Sequence, residues 1–146
     1  MTVRELEVIT RLEALNGNKH AIDNLPDRIA MLENRAYTIS AVSTDSERVS
    51  GGDNRVEDQR IENMMERAIA AADLEYAKAE VKQLEKALGQ VTENERKVLD
   101  KFYINKSKNA VRALCAELGY EEAQIYRIRK AAINDIALIL YGSRRK

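Results

Sequence analysis

The chain has 146 residues, with 24 Lys and Arg balanced by 24 Asp and Glu, a single Pro, a single Cys and no Trp. That length suffices for one domain, or a small domain with an extension. One cysteine excludes an internal disulfide, and the longest apolar run, Ile136–Tyr141, is far short of the ~20 residues that span a bilayer. With no charged-then-apolar leader, a cytoplasmic protein with no membrane contact is expected.

Thr2 followed three residues later by Glu5 is the pattern of a capping box and predicts a first helix over about Val3–Leu15. Asn16-Gly17-Asn18 is expected to end or bend it. Leu25, Ile29, Leu32, Ala36 and Ile39 then step by four and three, which predicts a second helix with Pro26 in its first turn. Ser43–Asn54 is polar, contains Gly51-Gly52 and reads as a flexible loop.

A long helix over about Val56–Leu88 follows, rich in Ala, Glu, Lys and Leu. Ile61, Met65, Ala68 and Ala72 form one apolar stripe, and Leu74, Ala77, Val81, Leu84 and Leu88 another. The shift between them predicts no unbroken heptad seam, and Met64-Met65 reads as core. This helix is expected to pack on the second as an antiparallel hairpin, with room for a second subunit as well.

Gly89 ends it. Thr92-Glu93-Asn94-Glu95 is a second capping box, opening a helix to about Tyr103 with Val98, Leu99 and Phe102 on its buried side. After a turn at Asn105–Ser107, with Ser107 or Asn109 as cap, Val111, Leu114, Cys115 and Leu118 recur at helical spacing until Gly119. A last helix carries Ile125, Ile128, Ala132, Ile136 and Ile139 inward. Two helices sharing an apolar seam across a glycine turn have the layout of a helix-turn-helix.

Charge is unevenly distributed. Residues 96–146 hold 12 Lys and Arg against 5 Asp and Glu, whereas residues 1–95 hold 12 against 19. A basic binding end and an acidic remainder follow. The sequence therefore predicts an all-α protein in two parts: a helical hairpin or coiled-coil region over 1–89, with its loop at 43–54, and a DNA-binding domain over 90–146.

On the last helix, Glu122, Gln124 and Arg127 fall on the face opposite Ile125 and Ile128. Arg127 has the geometry to pair bidentately with guanine and Gln124 with adenine, each worth ~1–3 kcal/mol of discrimination. Arg129 and Lys130 suit phosphate contacts, as do Lys106, Lys108 and Arg112 on and before the preceding helix. Tyr126 lies beside the groove-facing residues and either stacks or packs. Arg144-Arg145-Lys146 adds a basic terminus. Each of these charges is also an ordinary solvated surface residue until a ligand is shown.

No other chemistry is expected. Cys115 reads as a buried structural thiol, and the lone His20 has no companion for a metal site. Glu57-Asp58 and Glu121-Glu122 read as helix-start residues rather than an acid/base pair. No phosphate loop or nucleophile motif is present. Neither cofactor nor enzymatic activity is expected.

Taken together, Glu95-Arg96, Leu99 and Tyr103, then Leu114-Cys115-Ala116-Glu117-Leu118-Gly119, then Glu121-Glu122-Ala123-Gln124-Ile125, resemble region 4 of the sigma-70 family of bacterial transcription factors. That family's usual pattern is a capped E-R, I-A-x-x-L-G, then S-x-x-T-V and a basic recognition helix. Glu121 here replaces the usual Ser or Thr cap, and Asn105–Asn109 lengthens the preceding turn. The layout over residues 20–141 resembles the small phage-encoded late transcription regulators of the RinA/ArpU kind. The resemblance implies a sequence-specific regulator, of the phage late-gene activator kind, that reads bases of double-stranded DNA with residues near Glu122–Arg127 in a bacterial host. Because a lone motif this small covers few base pairs, a homodimer on two half-sites is expected. It also permits an adaptor that binds RNA polymerase. A third resemblance, to small terminase subunits, implies a DNA-packaging role.

Overall fold

The computed structural model describes residues 1–46 and 55–142, and the side chains of 42–46 are outside that description. The described residues are all-helical, with no strand among them. The elements are α1 (Val3–Ser46), α2 (Arg55–Leu88), α3 (Glu93–Leu99), a single π-helical turn (Asp100–Ile104), α4 (Ala110–Leu118) and α5 (Glu122–Tyr141). The basic triplet 144–146 and residues 47–54 lie outside the described residues, and 43–46, expected in a loop over 43–54, instead continue α1.

The largest departure from the sequence reading is α1. It is one helix of 44 residues with Pro26 inside it, not two helices divided at Asn16-Gly17-Asn18. The Thr2–Glu5 capping box opens it as expected: Thr2 N donates to Glu5 Oε2 at 2.9 Å and Glu5 N to Thr2 Oγ1 at 3.1 Å. Asn16 escapes its turn-forming tendency because its side chain has another use. Its Nδ2 donates to the Ile104 carbonyl oxygen at 3.0 Å and to Asn105 Oδ1 at 2.9 Å, closing the end of the π turn. Gly17 is exposed, and a Cβ there would meet nothing within 4 Å.

A second correction concerns α2. Residues Val56, Arg60, Asn63, Arg67, Ala70, Leu74, Ala77, Val81, Leu84 and Leu88 are all buried or half-buried and step by four and three without a break. This is one heptad seam, which the sequence reading denied. The expected upper stripe of Ile61, Met65, Ala68 and Ala72 is exposed, and so is Met64. Hydrophobicity pointed to the wrong face because Arg60, Asn63 and Arg67 occupy seam positions there. On α1 the matching seam runs Arg4, Val8, Arg11, Leu15, Asn18, Ile22, Leu25, Ile29, Leu32, Ala36, Ile39.

The chain divides into two compact units. One comprises residues 19–78. Here α1 and α2 run antiparallel: Arg28 pairs with Glu66 at 3.6 Å, and buried Asn63 Nδ2 donates to the Leu32 carbonyl oxygen at 2.9 Å. Arg67 Nε donates to Asn63 Oδ1 at 2.8 Å, so the buried amide is satisfied on both sides.

The other unit comprises residues 1–18 and 79–146. Its larger core gathers Val8, Leu12 and Leu15 of α1, Leu84, Ala87 and Leu88 of α2, Val91, Leu99, and Ala132, Ile133, Ile136 and Ala137 of α5. At about 1.5–3 kcal/mol per fully buried aliphatic side chain, this cluster holds the unit together. Arg11 adds a polar clasp: it reaches Glu80 (2.7 Å), Gln83 (2.8 Å) and the Tyr141 hydroxyl (3.2 Å). Burial works against its charge, but the hydrogen bonds to Glu80 and Tyr141 outweigh it and raise the guanidinium pKa.

A smaller core, Val98, Leu114 and Ile125 with Phe102, Cys115, Leu118 and Ile128 against it, belongs to α3, α4 and the first half of α5. Cys115 is half-buried against this cluster. The length of α5 lets one helix serve both cores, its first turns the smaller and its second half the larger. Ile139, expected inside, is exposed.

Candidate nucleic-acid interface

The candidate surface is built on α3, α4 and the first three turns of α5. The Thr92–Glu95 capping box starts α3: Thr92 N donates to Glu95 Oε1 at 3.1 Å, and Glu95 N to Thr92 Oγ1 at 3.2 Å. Val98 and Leu99 are then fully buried. After Leu99 the helix widens into the π turn, where Asn105 N donates to the Asp100 carbonyl oxygen at 2.8 Å. The inserted residue changes the helical phase, so Phe102 packs on the smaller core while Tyr103 and Ile104 pack on the larger. The sequence predicted an ordinary helix to Tyr103 and gave no sign of this widening.

Asn109 occupies the N-cap of α4 without a side-chain hydrogen bond, and Gly119 ends the helix in the left-handed region at φ 74°. Gly119 N donates to the Cys115 carbonyl oxygen at 2.9 Å. Three residues, 119–121, separate α4 from α5, which is the compact turn the sequence predicted. Glu121 caps α5 by position, but its carboxylate makes no capping hydrogen bond. Lys97 joins α3 to α4 through Glu117 at 3.4 Å, and Asn94 reaches the Tyr120 hydroxyl at 3.4 Å.

Ile125 and Ala132 are buried and Ile128 is half-buried, which turns the opposite face of α5 to solvent. Glu122, Arg127 and Lys130 are exposed there, and Gln124 is half-buried. Arg127 Nη1 lies 3.4 Å from Gln124 Oε1, so the two side chains form an adjacent polar pair. Lys108 and Arg112 are exposed on the approach to α4 and on α4 itself.

Two of the predicted cations are already engaged. Lys106 forms an ion pair with Glu13 of α1. Arg129 is half-buried, with its guanidinium 5.0 Å from the ring centroids of both Phe102 and Tyr126. The two rings are 6.3 Å apart and tilted by 48°. Tyr126 is 39 % exposed and packs through this stack. The sequence singled out Arg129 and Tyr126 as contacts, but Phe102 only as core. The π turn that brings Phe102 to Arg129 has no sequence signature from which the stack follows.

Lys101 was also not singled out. It shares an open depression of about 500 Å³ with Lys106, Lys108, Ser107 and Glu13. Burial raises the Tyr103 phenol beside this depression; Arg129 opposes the shift and Glu13 adds to it.

Behind the surface, α5 carries Asp135 against Glu95 of the α3 capping box. The hydrogen bond to Glu95, then burial and the like charge, push the Asp135 carboxyl up to about 6. Burial disfavours the Glu95 charge, but hydrogen bonds from Asp135 and from the backbone and hydroxyl of Thr92 hold its pKa below the usual carboxylate value. The pair therefore shares a proton in mildly acid solution.

Among the described residues no group of three or more His, Cys, Asp or Glu side chains is arranged to hold a metal ion. No described helix is long and apolar enough to cross a membrane. What the fold and this surface define is an all-helical protein with a mixed-charge, partly basic helix face. No protein-family model, no curated protein and no solved structure matches the chain.

Proposed function

We propose that the chain is a sequence-specific DNA-binding transcription regulator of the sigma-70 region 4-like, phage late-gene kind, acting as a homodimer on two half-sites. The observation that carries this reading is the exposed set Glu122, Arg127 and Lys130 on the first turns of α5, with half-buried Gln124 beside Arg127, backed by the buried Ile125 and Ala132. A helix presented across a short turn with polar, hydrogen-bonding side chains outward has the form that enters a major groove. In this reading Arg127 and Gln124 meet base edges, and Lys130, Arg112 and Lys108 meet phosphates. Arg129 braces Tyr126 and Phe102 rather than leading at the groove.

The test is selection from a random duplex library with the full chain, repeated with Arg127→Ala. The expected result is a preferred sequence that loses preference at one position in the variant. Affinity should fall with salt by about 0.9 log unit per contacted phosphate per log unit of salt. Failure to enrich any sequence, with no salt-sensitive binding, overturns the proposal. RNA polymerase captured equally by wild type and Arg127→Glu, without DNA, would point instead to the adaptor role.

A further inference from the structure

Opposite its seam, a helix of a two-stranded coil normally meets water and carries charge. On α1 between residues 23 and 34 that outer face follows the rule except at Met31, which is 59 % exposed; Asp23, Asn24, Asp27 and Asn34 are exposed there. On α2 it does not. Ile61, Met65, Ile69 and Tyr76, at 48 %, 59 %, 58 % and 63 % exposure, stand on the side turned away from the seam residues Asn63, Ala70 and Ala77. Exposed Ala68 and Ala72 lie between them, and Met64 borders them. All belong to the unit of residues 19–78.

We propose that this face of α2 is the interface with a second copy of the chain, paired antiparallel about a two-fold axis at the centre of the stripe. Size favours it: the exposed apolar side chains offer roughly 600 Å², against the about 800 Å² per partner that a standard interface buries. The flanking charged residues supply the remainder.

The order of side chains favours a second copy over a foreign partner. Ala68, Ile69 and Ala72 sit at the middle, with Met64 and Met65 toward one end and Tyr76 at the other, so an apolar centre flanked by bulky residues meets its own copy when reversed. A single antiparallel register sets Ala68 against Ala72 of the second copy, Met64 against Tyr76, and Glu62 against Lys78. The alanines allow close approach, and the Met–Tyr pairs give sulfur–aromatic contacts at either end. Parallel pairing in register would instead set Asp58 and Glu62 against their own copies.

Self-association stands independently of DNA binding; only the use of two half-sites rests on that reading. The test is sedimentation equilibrium of the full chain without DNA, from submicromolar to hundred-micromolar concentration. A reversible dimer is expected. Ile69→Glu places a carboxylate at the middle of the interface and Met65→Glu places one opposite Glu75 of the second copy; both are expected to weaken dimerisation roughly a hundredfold or more, with helical circular dichroism unchanged. In a Cys115→Ser background, Ala72→Cys combined with Ala68→Cys should crosslink on oxidation, and Ile61→Cys alone should not. A wild type that stays monomeric throughout overturns the proposal, as does a dimer that neither glutamate weakens. Efficient crosslinking through Ile61→Cys would overturn the antiparallel arrangement.

Discussion

Arg129 stands with its guanidinium 5.0 Å from the centroid of the Phe102 ring, and the contact ties α5 to the π turn that follows α3. A guanidinium held over two rings is partly withdrawn from water, and its stem packs as well as its charge. Replacing Arg129 with Ala should lower stability by about 1 kcal/mol, and Lys should not restore the loss, because an ammonium lacks the flat face that stacks. Arg127→Ala, at an exposed position, should leave the melting temperature unchanged. Thermal unfolding of the three variants separates a brace from a solvent-facing contact; equal effects at 127 and 129 would remove the distinction.

The continuity of α1 makes Pro26 and Gly17 costly residues. Inside a helix Pro26 cannot donate to the Ile22 carbonyl, a defect worth about 3 kcal/mol, offset by about 1 kcal/mol because proline also restricts the unfolded chain. Pro26→Ala is expected to stabilise by about 2 kcal/mol. Gly17→Ala should add about 0.5–1 kcal/mol, since the new methyl meets nothing within 4 Å. Urea denaturation gives both values. If the helix were broken at either place, Ala would be neutral or harmful there.

Gly119 should behave in the opposite way. A Cβ there also has open space, but the residue sits at φ 74°, so the cost of Ala is one of backbone alone. Gly119→Ala is expected to destabilise by about 1 kcal/mol, and Asn in its place by less. Because this turn presents α5, the proposed DNA-binding role predicts that the same variant weakens DNA binding by more than its stability loss explains. Urea titration and DNA titration of one preparation give the comparison.

These three positions also show how far the sequence could be read. Gly119 was legible because a glycine that follows a strong apolar periodicity has few other uses. The two capping boxes were legible because each is a local pair three residues apart. Asn16-Gly17-Asn18 and Pro26 misled because their local tendencies are overridden by distant partners: Asn16 is occupied by Ile104 and Asn105, and the flanking turns are held by Val8, Leu12 and Leu15 below and by Leu32 above. The α2 seam was hidden because Asn63 and Arg67 satisfy each other and the Leu32 carbonyl within it, while the strongest apolar residues point out. At the candidate interface, the solvent-facing placement of Arg127 and Lys130 followed from helical phase. The engagement of Lys106 by Glu13 and of Arg129 by Phe102 depended on chain segments brought together only by folding.

Asn63 is the polar residue that fixes the α1–α2 pairing in its unit. It is only 4 % exposed, and both ends of its amide are used. Asn63→Ala removes the bond to Leu32 and leaves Arg67 without its acceptor, at an expected cost of about 1–2 kcal/mol. Asn63→Leu should recover most of that stability through apolar burial but relax the register, as removal of a buried Asn does in other coiled coils. Crosslinking with a short bis-maleimide between cysteines placed at Arg28 and Glu66, in a Cys115→Ser background, reads the register: one crosslink with Asn63 in place, and loss of selectivity in Asn63→Leu.

The Glu95–Asp135 pair gives stability a pH dependence whose sign follows from the two shifts. Asp135 titrates near 6 in the folded chain, above its ordinary value, so its favourable contribution is complete below about pH 4 and is lost as pH rises through about 6. Glu95 is shifted down, so its contribution is present above the ordinary carboxylate range and is lost as pH falls through its lowered folded value. The pair is most favourable in the window where one proton is shared, near pH 4–6, and both carboxylates repel above it. Asp135→Asn keeps a hydrogen-bond donor facing Glu95 at every pH. The variant should melt within a degree or so of wild type at pH 5 and a few degrees higher at pH 8. Equal melting temperatures at pH 8 would show that the two carboxylates do not share a proton.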